Sequence, residues 1–155
     1  YAVSLRVADA HIIYNTKTKE RLNFSKSIYI GDHVWIGQSA MILKGTKIGS
    51  GSIIGANSVL SNKTVPSNTT FAGSPARLTK EDTFWLGYSV HPWDEKTTEE
   101  YSKYDSENFI YEANENSLDF EKIETELKQL KNHDEIIFYI ASNFFKAGKN
   151  RFAFK

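Results

Sequence analysis

The chain holds four histidines, and the setting of His11 lends itself to chemistry. His11 lies in the apolar stretch Val3–Ile13 and is followed by the polar, unpatterned run at residues 14–23, YNTKTKERLN, which reads as a protruding loop. An imidazole beside a loop that walls a cleft can serve as a general base near neutral pH. The plainer alternative is a solvated loop histidine. Asp9, two residues earlier, can orient that imidazole or simply occupy a solvated turn. His33, in GDHVW, reads as a surface or subunit-contact residue at an outward corner, and His91 and His133 have no partners by spacing. There is no cysteine, so disulfides, thiol catalysis and thiolate-bound metals are excluded.

The element that must hold His11 is written in a period of six. From Ile30 the chain reads IGDHVW, IGQSAM, ILKGTK, IGSGSI, IGANSV and LSNKTV. The leading position is always aliphatic: Ile30, Ile36, Ile42, Ile48, Ile54, Leu60. Glycine follows at Gly31, Gly37, Gly49 and Gly55, and the fifth position is small or β-branched, from Val34 to Thr64. An α-helix would scatter this period around its surface, and a hairpin strand would alternate in twos. A short strand and a corner, repeated, satisfies it, with the aliphatic side chain stacked inward and the glycine allowing the turn. Pro66, Ala72 and Leu78 continue the register loosely, and Val3–Ile13 is β-prone enough to join a coil. The N-terminal edge of so short a stack would expose unpaired backbone, which upstream residues or a partner must cover.

Composition divides the 155 residues near position 79. Residues 1–78 carry nine Lys/Arg against three Asp/Glu, a balance of +6; the remainder carries ten against sixteen, a balance of −6. Fifteen of the twenty-one aromatics lie in the second part. The basic surplus suits an anionic ligand but is too modest for a nucleic-acid partner. No apolar run reaches the roughly 18 residues of a membrane span. The sequence begins at Tyr1, no signal-peptide pattern is legible, and the lack of cysteine fits a reducing compartment, so a cytoplasmic location is expected.

Taken together, the His11 segment, its polar loop, SIYIGDHVWIG, KGTKIGSGSIIGANSVL and FAGSPARL resemble the hexapeptide O-acetyltransferase family, which includes the maltose, galactoside and capsular-polysaccharide enzymes. The resemblance covers residues 9–80. It implies a left-handed parallel β-helix domain over residues 1–80 with the loop at 14–23, and acetyl-CoA as co-substrate without a metal. It also implies a homotrimer with active sites between subunits and a carbohydrate hydroxyl as acceptor, in modification of a surface polysaccharide or lipooligosaccharide, for example at sialic acid or a related sugar. His11 takes the role of the base. Trp35 matches the tryptophan that related sialic-acid-polymer acetyltransferases use near the catalytic histidine; packing at a subunit contact is the alternative. Asp9 and Glu20 are the candidate acceptor contacts. The cofactor-binding set is Gln38, Ala56, Ser61, Lys63, Arg77 and Lys80, with Asn62 added because the turn there is one residue longer than the common family form. Arg77 and Lys80 are the expected phosphate contacts.

Three rival functions compete with this one. An N-acetyltransferase acting on an amino sugar would share fold and coenzyme. A zinc carbonic anhydrase on the same scaffold needs several histidines in the repeats, and only His33 lies there. A non-catalytic trimeric scaffold would hold if His11 were buried or pointed away from the groove. Residues 81–155 form a C-terminal extension, irregular and then helical. A short helix is expected near Thr97–Tyr104. A second, opened by Ser117, carries the stripe Phe120, Ile123, Leu127, Leu130. A third runs from Asn132 toward Gly148, with Ile136, Ile137, Ile140, Phe144 and Phe145 as core.

Overall fold

The computed structural model describes residues 2–145 and 148–155; Tyr1 and the end of the third expected helix, at 146–147, lie outside them. Ten strands come first: β1 (Ser4–Arg6), β2 (Tyr29–Ile30), β3 (Trp35–Ile36), β4 (Met41–Leu43), β5 (Lys47–Ile48), β6 (Ile53–Ile54), β7 (Val59–Leu60), β8 (Thr64–Val65), β9 (Thr70–Gly73) and β10 (Ala76–Lys80). They form three faces, ordered β1-β4-β7, β2-β5-β8 and β10-β9-β6-β3, with parallel pairing throughout except for the antiparallel β9–β10 hairpin. Each short strand thus pairs with the strand one coil later, and the chain winds as a left-handed β-helix.

The period of six sets the register. Ile30 pairs with Ile48, Ile36 with Ile54 and Ile42 with Leu60, each three hexapeptides on. Ile42, Ile48, Ile54 and Leu60 are fully buried in the core of the coils, and each such side chain contributes about 1.5–3 kcal/mol of burial. The fifth-position Ala40, Thr46, Ser52 and Ser58 are buried as well, where only small groups fit.

Three expectations need correction. After Leu60 the register slips: Ile48 pairs with Val65 and Ile54 with Phe71, so Val65 and Phe71, not Pro66 and Ala72, continue the interior column. The segment from Leu60 to Val65 is one residue short of a hexapeptide, which leaves Thr64 exposed. The glycines after the leading residues do not make the corners either. The left-handed backbone falls at His33, Ser39, Gly45, Gly51, Asn57, Asn62 and Asn68, a series of sixes with the same single slip. Gly37 serves close approach instead: a Cβ there would lie 2.5 Å from the Ala56 backbone nitrogen of the next coil. Finally, only Ser4–Arg6 of Val3–Ile13 joins the stack.

The extension folds back onto the coils. It contains α1 (Glu95–Glu100), α2 (Phe120–Leu127) and α3 (His133–Phe144). Asp94 caps α1, which starts earlier than Thr97 and ends before Tyr104. Asp119, not Ser117, caps α2, because the Ser117 hydroxyl is engaged by the Asn114 N–H and the Asn150 carbonyl. Asn132 and Glu135 form the expected reciprocal cap on α3. Phe120 and Ile123 are buried, with Phe120 packed on Tyr29, Phe152 and Phe154. The core assignment for α3 fails: it has no buried residue, and Ile137, Ile140 and Phe145 are exposed. Polar anchors to the β-helix add to the packing of Phe120. Arg151 grips Asp32 through two bonds of 2.8 and 3.0 Å, and buried Asn68 binds the Thr83 and Phe109 carbonyls and the Tyr111 N–H.

Candidate active site

The loop at 14–23, exposed over nearly all of its length, closes on itself as an ordered hairpin. Tyr14 bridges Arg21 in antiparallel fashion, and the Asn15 carboxamide accepts from the Lys17 and Thr18 N–H groups to close the turn. Glu20 is exposed on it, its carbonyl accepting from the Asn15 N–H. At the root sits Asn23, only 7% exposed. Its Nδ2 donates to the His11 carbonyl at 2.7 Å and to the Asp9 carboxylate at 2.9 Å, while its Oδ1 accepts from the Ile13 N–H at 2.9 Å. One side chain thereby ties both ends of the loop together and fixes the backbone on either side of Ile12. The Ile12 side chain is exposed, as is that of His11.

Among the described residues, Asp9 makes no hydrogen bond to the imidazole; its side-chain partners are Asn23 and Lys44. Its carboxylate pairs with Lys44, at the corner after β4, and that hydrogen bond, followed by the one from Asn23, holds the carboxyl below its ordinary value. Asp9, Lys44 and Ser61 line one cleft of about 290 Å³ beside the His11 segment. Asn62 accepts from Lys26 Nζ at 3.0 Å, and Lys63 Nζ lies 5.8 Å over the Phe71 ring. Ser61, Asn62 and Lys63 therefore belong to the corner between the β7 and β8 faces.

The other candidates gather on a different face. Trp35, Gln38 and Ala56 line an open, largely apolar groove of about 650 Å³ together with Val3, Gly37 and Gly55. Trp35 is 51% exposed. Arg77 and Lys80 project from β10 in the same sheet, three strands from β3, and neither has an acidic partner among the described residues. No hydrogen bond or ring contact joins His11 to Trp35 among the described residues. The candidate residues thus fall into two groups on the chain, one around His11 and one along Trp35, Gln38 and Ala56.

Three contributors escaped the sequence. Asn23 and Lys44 work through contacts between segments far apart in the chain; the one legible signal was an asparagine closing the loop that His11 opens. His33 is the third. It is not a free surface corner: its ring stacks on Trp85 at 4.6 Å and on Phe109 at 4.0 Å, covered by the chain's own extension. Among the described residues no three His, Asp or Glu side chains converge.

Comparison with known proteins bears on the coils. Residues 27–62 match the family model described as bacterial transferase hexapeptide (six repeats). The solved structure of the polySia-specific acetyltransferase NeuO is 35% identical, with a TM-score of 0.55 over 64% of this chain and 47% of that one. That of the polysialic acid O-acetyltransferase OatWY is also 35% identical, with a TM-score of 0.55 over 64% of this chain and 48% of that one. This chain spans about half the length of either. No curated protein sequence matches it. Residues 27–62 carry the repeat of the bacterial hexapeptide transferases, and the coils they build resemble those of the two polysialic acid acetyltransferases.

Proposed function

We propose that the protein transfers acetyl from acetyl-CoA to a carbohydrate hydroxyl, as a homotrimer whose active sites form between neighbouring subunits. The observation that carries this reading is the division of the site: an exposed His11 on an Asn23-locked hairpin, and an open Trp35–Gln38–Ala56 groove on another face of the same coils. Two copies side by side can bring the His11 half of one against the groove of the next. Exposed Leu5, Val7, Ile12 and Ile13 around the His11 half supply apolar surface for that contact.

Acetyl-CoA supplies an activated thioester carbonyl. The His11 imidazole takes the acceptor hydroxyl proton as that oxygen attacks the carbonyl carbon, and returns it to the departing thiolate as the tetrahedral intermediate collapses. The Trp35 indole N–H is a donor at the reacting end of the groove. The cations of Arg77 and Lys80 suit the coenzyme's phosphates. They lie on the sheet that bears Trp35, about 14 Å across at some 4.8 Å per strand. Gln38 and Ala56 face the intervening chain. Ser61, Asn62 and Lys63, on the corner near Asp9, serve the coenzyme only in so far as it crosses between subunits.

Glu20 on the hairpin and Asp9 at its root are the acceptor-side polar groups. By likeness to the two polysialic acid enzymes the acceptor is a sialic acid or a related surface sugar, modified in the cytoplasm where acetyl-CoA is made. The test is a thioester-consumption assay with mass detection of the acetylated product, run on sialic acid polymer, neutral glycans and an amino sugar. Acetylation of hydroxyls, abolished by His11→Ala, is expected. Transfer to the amino sugar alone, or transfer independent of His11, would overturn the reading.

A further inference from the structure

Trp35 is half exposed at the rim of its groove, where a side chain retains several staggered orientations unless a neighbour selects one. The neighbour is Trp85, from the C-terminal extension, whose ring centroid lies 5.8 Å away at an interplanar angle of 46°. Trp85 is itself held at two of its polar groups. Its Nε1 donates to the His33 carbonyl at 3.0 Å, and its own carbonyl accepts from His33 Nε2 at 2.7 Å. A carbonyl only accepts, so that imidazole nitrogen carries the proton. The two rings are nearly parallel, 7° apart, and Phe109 stacks on the same imidazole.

The mount beneath is equally fixed. His33 occupies a left-handed corner two residues before Trp35, and the preceding Asp32 is gripped by Arg151 and by the Ser50 hydroxyl. A strand corner, an imidazole and an indole thus form one braced unit whose free edge touches Trp35.

We propose that Trp85 is a positioning residue: the extension uses it to set the Trp35 indole against the groove. This rests on Trp35 acting in acetyl transfer, and the experiment keeps the two claims apart. The chain has three tryptophans, so 5-fluorotryptophan labelling of the full chain gives three fluorine resonances, with that of Trp35 assigned by Trp35→Phe. Trp85→Leu should shift and broaden the Trp35 resonance. It should also lower the transfer rate by about tenfold to a hundredfold, as misplacing a group in a site does, with little change in the acetyl-CoA KM. Trp85→Phe keeps a ring in place without the N–H and should restore part of both.

Phe120→Leu loosens the extension elsewhere, at its packing on Tyr29, and should lower stability while leaving the Trp35 resonance where it was. An unmoved Trp35 resonance in Trp85→Leu and Trp85→Phe overturns the proposal, as does an equal shift in Phe120→Leu or a moved resonance with an unchanged rate. If Trp35→Phe itself transfers acetyl normally, the role of Trp35 in the reaction falls instead, and the positioning of its ring is then without catalytic consequence.

Discussion

Asn23 Nδ2 donates to the main-chain carbonyl of His11 across a 2.7 Å bond, from a side chain that is almost wholly buried. The same carboxamide reaches the Asp9 carboxylate and the Ile13 N–H, so every hydrogen-bonding group of one short side chain is spent on the root of a single hairpin. The geometry of the proposed base is therefore set from below, through its backbone.

Asn23→Ala should free that root. Unmet partners cost about 1–3 kcal/mol for each buried polar group, so the thermal midpoint should fall. The transfer rate should fall further than stability explains, by about tenfold or more, because the base loses its fixed distance to the acceptor. Asn23→Asp should be no better, since a carboxylate cannot donate to the His11 carbonyl and stands beside Asp9. Rates measured well below the unfolding temperature check this; a normal rate in Asn23→Ala would show that the loop root does not set the base.

Arg77→Ala and Lys80→Ala address the coenzyme. Neither cation has an acidic partner among the described residues, so removing either leaves no orphaned carboxylate and should barely change stability. A phosphate contact remote from the thioester stabilises ground and transition states alike, so the acetyl-CoA KM should rise severalfold at nearly constant kcat. Titration of acetyl-CoA against the double variant decides it, and unchanged affinity would move the phosphates off β10.

The period of six was legible because the interior column admits so few side chains: Ile42, Ile48, Ile54 and Leu60 are all fully buried there. The slip after Leu60 was not, because Thr64, Val65 and Pro66 all suit a strand edge and only the pairing of Ile48 with Val65 reveals which one enters the core. The glycines were found for the wrong reason, since close approach between coils leaves the same residue type as a positive φ. His11 could be seen from one segment. Asn23, Lys44 and the Trp85–His33 lock join segments distant in sequence, so no local pattern encodes them. The apolar residues of α3 read as core, yet Ile137 and Phe138 face outward, since apolarity does not say which surface a helix will bury.

The extension should loosen in alkali. Burial, then the bond to Glu124, raises the Tyr29 hydroxyl well above its ordinary range; burial, then Glu126, raises that of Tyr139 to about 12. Burial alone would raise Glu124, but its contacts, led by the Tyr29 hydroxyl, hold it below its usual value. An acid whose folded pKa is raised contributes stability that is complete below its unfolded value of about 10 and is lost as pH climbs through the folded one. The thermal midpoint should accordingly drop above pH about 10 more steeply than in a Tyr29→Phe, Tyr139→Phe double variant, in which lysines still titrate. Parallel curves for the two proteins would refute the linkage.

His11→Ala is the sharpest test of the proposed chemistry. The side chain is exposed, and its structural ties run through the backbone carbonyl that Asn23 holds, so alanine leaves the hairpin root intact. The proposed trimer and the proposed acetyl-CoA binding along the Trp35 groove should survive, because neither uses the imidazole. Loss of a positioned base commonly removes about 10²–10⁴-fold in rate, and the variant should lose that much. His11→Asn, polar and of similar size but no base, should be equally impaired. Asn23 offers the internal comparison: its alanine variant weakens the rate by misplacing a base that is still present, so it should sit between the parent and His11→Ala. Single-turnover transfer with acetyl-CoA already bound separates these from any effect on affinity. If His11→Ala kept more than about a tenth of the parent rate, below the usual effect of a lost base, proton removal would belong to another group.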